Sequence, residues 1–356
     1  MEKAEKAKTL RQDGIICFQP FCTMNIINNY NVYNCMCSAW IKDNIGNLKT
    51  NTIAEIWNSE KARYIRRKMY DGQWRDICNP ICPSIVEHIR SNRVIKYEEL
   101  EGIEWLTPTA INEIRSGKDR LESPPTFINL CNSNACNLHC IMCNREGTKD
   151  DPILQEKMMA DLTNYLPTAK VLILSGDGEP FVRADTLDLL INCKYPVKFD
   201  ILTNGLLLPK YWEKIKHQKF RTINVSVDAA TKDTYEKIRV GGKWEDLLKS
   251  LSLIRENRDK FECAGINMTV MRSNYKEIPQ FIDMAQSYGF FVQFFGIRDR
   301  HGNENIFEPN DVEALNELRN ILINEFPKKR DIDVRWGDLP LHLNLLEPQG
   351  NSSSAS

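Results

Sequence analysis

The sequence lacks a long hydrophobic run, and it lacks an excess of charge of either sign. No apolar stretch approaches the ~20 residues that a membrane-spanning helix needs, and residues 1–6 carry too much charge for a secretion signal. Lys and Arg (47) nearly balance Asp and Glu (48), so no strong field attracts a polyanion such as nucleic acid. We therefore expect a cytoplasmic protein that binds neither a membrane nor nucleic acid.

Cysteine, in contrast, is abundant, with twelve residues in the chain. Because the cytosol keeps thiols reduced, we interpret them as metal ligands rather than as disulfides. Ten of the twelve fall into two groups, within residues 17–82 and within residues 131–143. The grouping predicts two metal sites.

From residue 127 onward, short apolar runs alternate with longer segments of helical periodicity. Segments such as 153–166, 244–257 and 275–288 carry apolar residues at spacings of three and four. This alternation is typical of parallel strands joined by crossover helices. We predict an α/β fold, a partial (β/α)6 TIM-like barrel, with strands at residues 127–130, 171–174, 199–202, 223–227, 265–270 and 291–295.

Upstream of residue 100 the sequence pattern differs. Apolar runs and helical segments alternate little there, asparagine is frequent, and half of the cysteines lie in this part. We interpret this part as a small cysteine-rich α+β metal-binding module. Thr52 and Glu55 have the spacing of a capping box and predict a helix that runs to about Lys68. The basic stretch 63–68 on that helix is interpreted as a solvated face.

The predicted domain boundaries follow from these changes in sequence pattern. The cysteine-rich module takes residues 1–100, and a linker follows over 101–125, ending at Pro124 and Pro125. The barrel takes residues 126–305, and a C-terminal helix and strand over 306–346 complete it. Residues 347–356, rich in serine, are predicted to be a disordered tail.

Three cysteines follow the first predicted barrel strand at spacings of four and three, namely Cys136, Cys140 and Cys143. Three thiolates in one loop can converge on a single metal centre, and three ligands leave one iron of a cubane cluster open. The alternative is a zinc site with His139 or Cys131 as the fourth ligand. The spacing alone leaves both possibilities open.

The Cys-x3-Cys-x2-Cys spacing after a first barrel strand resembles the defining motif of the radical S-adenosylmethionine (radical SAM) superfamily. Four further segments resemble motifs of that family in order, and the first three of them end predicted strands, where barrel folds collect their active sites. The resemblance implies a [4Fe-4S] cluster on Cys136, Cys140 and Cys143, with SAM at its open iron. It also implies that SAM is bound by Gly176, Gly178, Glu179, Pro180, Thr203, Asn204, Ser226, Asp228 and Arg239.

The same resemblance gives these segments separate roles. Glu179 and the glycines beside it would receive the ammonium group of SAM, because glycine permits a close approach of the backbone. Ser226 and Asp228 would lie near the ribose. Arg239 would pair with the carboxylate through a bidentate contact.

The upstream cysteines are similar in order to the SPASM module, or its shortened twitch form, which holds an auxiliary cluster. In that pattern the first cysteine precedes a proline, the second ends a hairpin strand and the last two close the module after a helix. The resemblance implies Cys17, Cys35, Cys78 and Cys82 as ligands of an auxiliary [4Fe-4S] cluster, with Cys22 and Cys37 as alternates. This module normally follows the barrel and here precedes it. A structural zinc site is the alternative.

The two resemblances together imply an enzyme that reductively cleaves SAM to a 5'-deoxyadenosyl radical and abstracts a hydrogen from its substrate. The predicted substrate is a peptide or protein side chain, and the predicted electron donor is a low-potential protein such as flavodoxin or ferredoxin. Two alternatives stay open. One is a dehydrogenase or epimerase of a sugar or other small molecule, and the other is a non-catalytic iron–sulfur electron-transfer or scaffold protein.

Overall fold

The computed structural model describes residues 14–79, 82, 94–143, 150–176, 178–298, 302–308 and 311–343. Backbone contacts divide the chain into two compact units. Unit 1 comprises residues 1–136, 144–202 and 211–221, and unit 2 comprises residues 137–143, 203–210 and 222–356. The predicted tail, 347–356, lies outside the described residues, and the predicted domain boundaries stay predictions.

The described strands are, in chain order, β1 (Ile15–Cys17), β2 (Thr23–Ile27), β3 (Asn31–Tyr33), β4 (Gly46–Asn47), β5 (Val94–Lys96), β6 (Phe127–Cys131), β7 (Val171–Leu174), β8 (Lys198–Thr203), β9 (Lys219–Ser226), β10 (Phe261–Val270), β11 (Phe291–Gly296) and β12 (Val334–Arg335). The described helices are α1 (Gln19–Cys22), α2 (Ile53–Trp57), α3 (Glu60–Tyr70), α4 (Pro108–Arg115), α5 (Pro152–Thr163), α6 (Ala184–Asn192), α7 (Leu208–Ile215), α8 (Lys232–Ile238), α9 (Trp244–Glu256), α10 (Ile278–Tyr288), α11 (Val312–Glu325) and α12 (Leu339–His342). All six strands and all four helices predicted downstream of residue 127 are present, with ends shifted by a few residues.

In unit 1, strands β2, β6, β7 and β8 run parallel in that order. Strands β3 and β4 extend the sheet beyond β2 as antiparallel neighbours, while β1 and β5 form a separate antiparallel pair. Buried polar side chains connect the parallel strands: the Asn129 amide donates to Asn25 (2.9 Å), and the Ser175 hydroxyl donates to Asn129 (2.6 Å). The cysteine-rich residues therefore contribute a strand, β2, that pairs directly with the first predicted barrel strand.

In unit 2, the strand order is β9, β10, β11 and β12, and the pairs β10–β11 and β11–β12 are parallel. The strands are nearly continuous apolar runs, because both faces of a parallel sheet are covered. The core residues that are completely buried include Ile223, Val225, Ile266, Met268, Val292 and Phe294. The predicted α/β class with a mostly parallel sheet is confirmed.

The helix predicted from Thr52 to about Lys68 is instead two helices, α2 and α3. The capping box of Thr52 and Glu55 forms as predicted, but the chain turns at Asn58 and Ser59. The Ser59 hydroxyl donates to the Ile45 carbonyl (2.7 Å) and accepts from the Ala62 amide, so Ser59 begins the second helix. A second capping residue inside the segment interrupts the helix.

Arg66 shows that the interpretation of residues 63–68 as a solvated face is wrong at this position, because its side chain is completely buried. The guanidinium donates hydrogen bonds to the carbonyls of Pro20, Trp57 and Asp119, each at 2.9 Å. It also lies 4.6 Å from the centroid of the Trp57 ring. Burial lowers the pKa of Arg66 to about 10, which keeps it charged at neutral pH. Arg66 therefore connects three separate segments of unit 1.

We expect Arg66→Met to lower the free energy of unfolding by about 3 kcal/mol, because it leaves buried carbonyls without donors. Arg67→Met is the matched control on the same helix. The Arg67 side chain is 38% exposed and pairs with Glu60 and Asp119, so its loss should cost less than about 1 kcal/mol. Urea unfolding of cluster-loaded protein under anaerobic conditions measures both. Equal losses in the two variants would contradict the role given to Arg66.

Candidate active site

The four upstream cysteines chosen from the sequence lie in separate backbone segments of unit 1. Cys17 ends β1, and Cys35 follows β3. Cys78 forms a β-bridge with Ile41, and the Cys82 amide donates to the carbonyl of the nearby Asn79 (2.9 Å). The backbone therefore converges on this region from residues far apart in sequence.

Cys17 and Cys78 are each affected electrostatically by other upstream cysteines. Burial raises the pKa of Cys17 well above its usual value, and the nearby Cys35, Cys78 and Cys82 raise it further. Burial, with Cys35 and Cys82, likewise raises the pKa of Cys78 to about 12. Sulfurs that repel one another as thiolates need a cationic centre between them before they can deprotonate. This donor set fits an iron–sulfur cluster or zinc.

Cys22, an alternate ligand, lies in a different environment. Its Sγ donates to the Phe18 carbonyl (3.6 Å), and burial raises its pKa to about 12. Cys37, the other alternate, is partly exposed. Within the described residues, no set of three or more His, Cys, Asp or Glu side chains is already arranged as a metal site. The ligand assignment therefore stays a proposal, which the proximity of the four thiols supports.

Replacing both Cys78 and Cys82 with Ala should remove only the upstream share of the iron. Anaerobic reconstitution should give roughly eight irons per chain if both sites carry four-iron clusters, and roughly four after the double substitution. Iron and zinc analysis with Mössbauer spectroscopy measures the outcome. Cys22→Ala is the matched control and should keep all of the iron. Loss of all iron in the double variant would contradict separate sites.

The loop that carries Cys140 and Cys143 is held within unit 2 by the last residue of α8 and by a residue that follows it. The His139 amide donates to the Val240 carbonyl (2.8 Å), and the Ile141 amide donates to the Ile238 carbonyl (3.0 Å). Ile141 and Met142 pack against an apolar cluster of Ile238, Met271 and Ile297. Cys140 is buried and Cys143 is exposed, while Cys136 belongs to unit 1.

Arg239 lies between Asp228 and Cys140 in unit 2. Its Nη2 forms an ion pair with the Asp228 carboxylate, and its Nη1 is 3.6 Å from the Cys140 sulfur. Burial alone would lower the pKa of Arg239, but the contact with Asp228 raises it above its usual value. Burial also raises the pKa of Asp228, and the guanidinium counters this shift. The pair is therefore a buried salt bridge.

Asp228 adopts a left-handed backbone conformation, with φ = 65°. Its Oδ1 accepts from the Thr269 amide (2.6 Å), and its carbonyl accepts from the Asn274 side chain (2.8 Å). Both partners lie at or just after the end of β10. The backbone conformation and these contacts direct the carboxylate towards Arg239, so Asp228 is occupied by protein groups rather than exposed to a ligand.

The glycine-rich segment after β7 lies against the loop after β6 in unit 1. A Cβ at Gly178 would lie 2.4 Å from the Ala135 carbonyl oxygen and 2.7 Å from that of Ser133, so only glycine fits. The Glu179 amide donates to the same Ala135 carbonyl (2.7 Å), and Glu179 is buried. Gly178, Glu179 and Pro180 line a pocket together with Leu130, Asn132, Ser133, Leu174, Ser175, Arg183 and Thr186.

Thr203, Asn204 and Ser226 occupy strand ends in unit 2. The Thr203 hydroxyl accepts from the Gly205 amide (3.0 Å), and Gly205 has a φ of +82°. The Asn204 side chain donates to Asn137 of the cysteine loop (2.8 Å). Ser226 accepts from the Asn267 amide group (3.2 Å). These predicted cofactor residues are therefore ordered by their own neighbours.

Sequence reasoning missed the residues that position the predicted ones. Asn137 holds Asn204, and Arg183 contacts Asn132 at 3.1 Å when the Asn132 amide is oriented to accept. A polar residue between two cysteines of the motif was the only available signal for Asn137. Nothing in the sequence indicates the Asn132–Arg183 contact, because its two residues lie on different strand-to-helix connections.

Two observations test whether these residues fit a bound SAM. Gly178 removes a side chain at a place where the backbone of residues 133–135 comes close. The buried Nε of Arg239 has no hydrogen-bond partner among the described residues, which leaves a donor for an anionic group such as a carboxylate. The Arg239 donor fits the carboxylate of SAM, whereas the absence of a side chain at Gly178 is explained by the backbone of residues 133–135.

Two family models match the chain. The model described as "Radical SAM superfamily" matches residues 133–285, which include Cys136, Cys140 and Cys143. The SPASM model, described as "Iron-sulfur cluster-binding domain", matches residues 17–83, which include the four upstream cysteines. The matches cover the two groups of cysteines separately.

The chain is also similar to named relatives and to a solved structure. A protein of Methanocaldococcus jannaschii, named a probable GTP 3',8-cyclase, is 25% identical over 66% of this chain and 80% of its own length. The mycofactocin maturase MftC of Mycolicibacterium smegmatis is 26% identical over 61% of this chain and 55% of its own length. Streptococcus suis SuiB bound to S-adenosylmethionine has a TM-score of 0.49 and 15% identity, over 94% of this chain and 75% of that chain.

The chain contains a radical SAM domain over residues 133–285, as the motif resemblance implied. Its SPASM domain precedes the radical SAM domain, so it is a SPASM-containing member with the auxiliary domain first. A radical SAM domain uses a [4Fe-4S] cluster and SAM, and a SPASM domain carries auxiliary iron–sulfur clusters. No described helix is long and apolar enough to cross a membrane.

Gly178→Ala should weaken SAM binding at least about tenfold, or ~1.4 kcal/mol, because the new methyl group collides with the backbone of residues 133–135. Equilibrium dialysis with labelled SAM, at equal iron content, measures the effect. Gly102→Ala is the matched control, since its Cβ would meet open space. Wild-type affinity in Gly178→Ala would remove this segment from the SAM site.

Proposed function

We propose that this enzyme modifies a side chain of a peptide or protein by abstracting a hydrogen atom from it. The observation that carries the proposal is the gathering of Cys17, Cys35, Cys78 and Cys82 inside a segment matched by the SPASM model. Such a second centre beside a radical SAM domain is typical of peptide-modifying enzymes. The relative named a maturase supports the same direction.

In this proposal, Cys136, Cys140 and Cys143 bind the SAM-binding [4Fe-4S] cluster. The residues that form the SAM site are Gly176, Gly178, Glu179, Pro180, Thr203, Asn204, Ser226, Asp228 and Arg239, with Asp228 acting through Arg239. When bound, the cluster and SAM supply a 5'-deoxyadenosyl radical, which can take hydrogen from an unactivated carbon. The protein's part is to bind, orient and shield the reactants.

The structure suggests how these residues divide the work. Gly178 permits a close backbone approach, and the buried Glu179 offers a carboxylate to an ammonium group. Arg239 keeps a positive charge inside the protein, with its Nε available to an anionic group. Asp228 acts through Arg239, because its carboxylate is already paired.

The four upstream cysteines bind the auxiliary [4Fe-4S] cluster in this proposal. A low-potential protein such as flavodoxin or ferredoxin supplies electrons. The protein works in the cytoplasm, because a reducing compartment keeps cysteines available as cluster ligands instead of disulfides. Acidic and basic residues are balanced over the whole chain, so recognition of either partner depends on local patches rather than on net charge.

Anaerobic turnover tests the function. Reconstituted enzyme with SAM and dithionite should produce deoxyadenosine above its uncoupled background when short synthetic peptides containing every natural side chain are added. Mass spectrometry should find a modified peptide. Cys140→Ala should abolish deoxyadenosine formation, whereas Cys263→Ala, which lies outside both cysteine groups, should keep it.

The same assay distinguishes the other functions. Stimulation by sugars and not by peptides would replace the peptide proposal with a small-molecule dehydrogenase or epimerase. Cluster-loaded protein that binds SAM and never forms deoxyadenosine, with any substrate, would indicate an electron-transfer or scaffold protein. The findings at hand favour neither of these alternatives.

A further inference from the structure

Arg239 contacts the sulfur of a predicted cluster ligand. Its Nη1 is 3.6 Å from Cys140 Sγ, within hydrogen-bonding range for sulfur. The Arg239 side chain is only 12% exposed, and Cys140 is buried. Because little water reaches this contact, its electrostatic effect on the sulfur is stronger than it would be at the surface.

The guanidinium is fixed in position from its far side. Its Nη2 is paired with Asp228, which is completely buried. The Thr269 amide (2.6 Å) holds the Asp228 carboxylate, and the Asn274 side chain (2.8 Å) holds the Asp228 carbonyl. Arg239 therefore cannot turn away from Cys140 without breaking a buried salt bridge.

The sulfur side of the contact is fixed as well. The backbone on both sides of Cys140 is bonded to the chain just before and just after Arg239, through His139 to Val240 (2.8 Å) and Ile141 to Ile238 (3.0 Å). These two hydrogen bonds set the distance between the Cys140 and Arg239 backbones. The contact between guanidinium and sulfur is thus built into the fold of unit 2.

We propose that Arg239 raises the reduction potential of the cluster bound by Cys140, by donating a charged hydrogen bond to the cysteine sulfur. Reduction adds one electron, from the donor protein or from dithionite, and makes the cluster and its thiolates more negative. A cationic donor stabilises that reduced state more than the oxidised one. Arg239 is therefore a positioning residue for electron uptake. The inference rests on the proposed role of Cys140 as a cluster ligand.

The effect must be present without SAM, which separates it from any contact between Arg239 and the SAM carboxylate. Arg239→Gln removes the charge and the forked donor. We expect it to lower the ratio of reduced to oxidised cluster about tenfold at a fixed solution potential near the midpoint, equivalent to 59 mV for a one-electron couple. The measurement is an EPR-monitored redox titration of SAM-free protein in which Cys78 and Cys82 are replaced, so that the cluster on Cys136, Cys140 and Cys143 is the one observed.

Two further variants make the result specific. Arg239→Lys keeps a positive charge but loses the planar fork, so it should shift the potential in the same direction by less. It also provides a measurement if the Gln variant loses its iron. Arg330→Gln is the matched control in the same unit, because Arg330 also pairs with carboxylates, Asp283 (2.6 Å) and Glu325 (2.7 Å). It should leave the potential unchanged.

A spectroscopic signature tests the hydrogen bond itself. The reduced cluster should show an exchangeable proton coupling in proton ENDOR spectra recorded in H2O and D2O, and Arg239→Gln should remove one such coupling. A structural role for Arg239 would change iron content without changing this signal or the potential of the remaining cluster.

The outcomes separate this inference from the proposed function. If no [4Fe-4S] cluster forms on Cys136, Cys140 and Cys143, the proposed function fails. If the cluster forms and both Arg239 variants titrate as their Arg239 parent does, only the role of Arg239 is overturned. A lowered potential in the Arg239 variants, with Arg330→Gln unchanged, supports it.

Discussion

One buried charge organises the cysteine-bearing part of unit 2. The guanidinium of Arg239 could not remain inside the protein without compensation, and Asp228 provides that compensation at the cost of a left-handed backbone. Thr269 and Asn274 then hold Asp228 from the end of β10. Buried polar contacts therefore connect the ends of β9 and β10, the residues after α8 and the loop around Cys140.

The sequence was sufficient to predict the parallel strands and the crossover helices, because the spacing of apolar residues indicates which faces are buried. Runs such as Val171–Leu174 are apolar at every position and bury both faces, and this pattern leaves few alternatives. It was insufficient where a long-range partner decides the outcome. The break between α2 and α3 depends on Ser59 meeting the Ile45 carbonyl, and the burial of Arg66 depends on carbonyls at residues 20, 57 and 119. Local pattern carries no information about such partners.

The candidate site was predictable to a similar degree. Cysteine spacing indicated both groups of sulfurs, and Cys35, Cys78 and Cys82 raise the pKa of Cys17, whereas Cys22 is bonded to the Phe18 carbonyl. The spacing of residues could not show that Arg239 and Asp228 form an ion pair with each other inside the protein. A motif records which residues are present, whereas their mutual contacts depend on strand register and backbone conformation.

The pairing of β2 with β6 also bears on how the chain is made. Thr23 to Ile27 align with Phe127 to Cys131, so β2 leaves the ribosome about 100 residues before its parallel neighbour. Until then one edge of an apolar strand has open hydrogen-bonding groups, which is the kind of surface on which newly made chains associate. The rate of translation between β2 and β6, and the binding of chaperones to the hairpin of β2 and β3, would then decide what fraction of the chains folds.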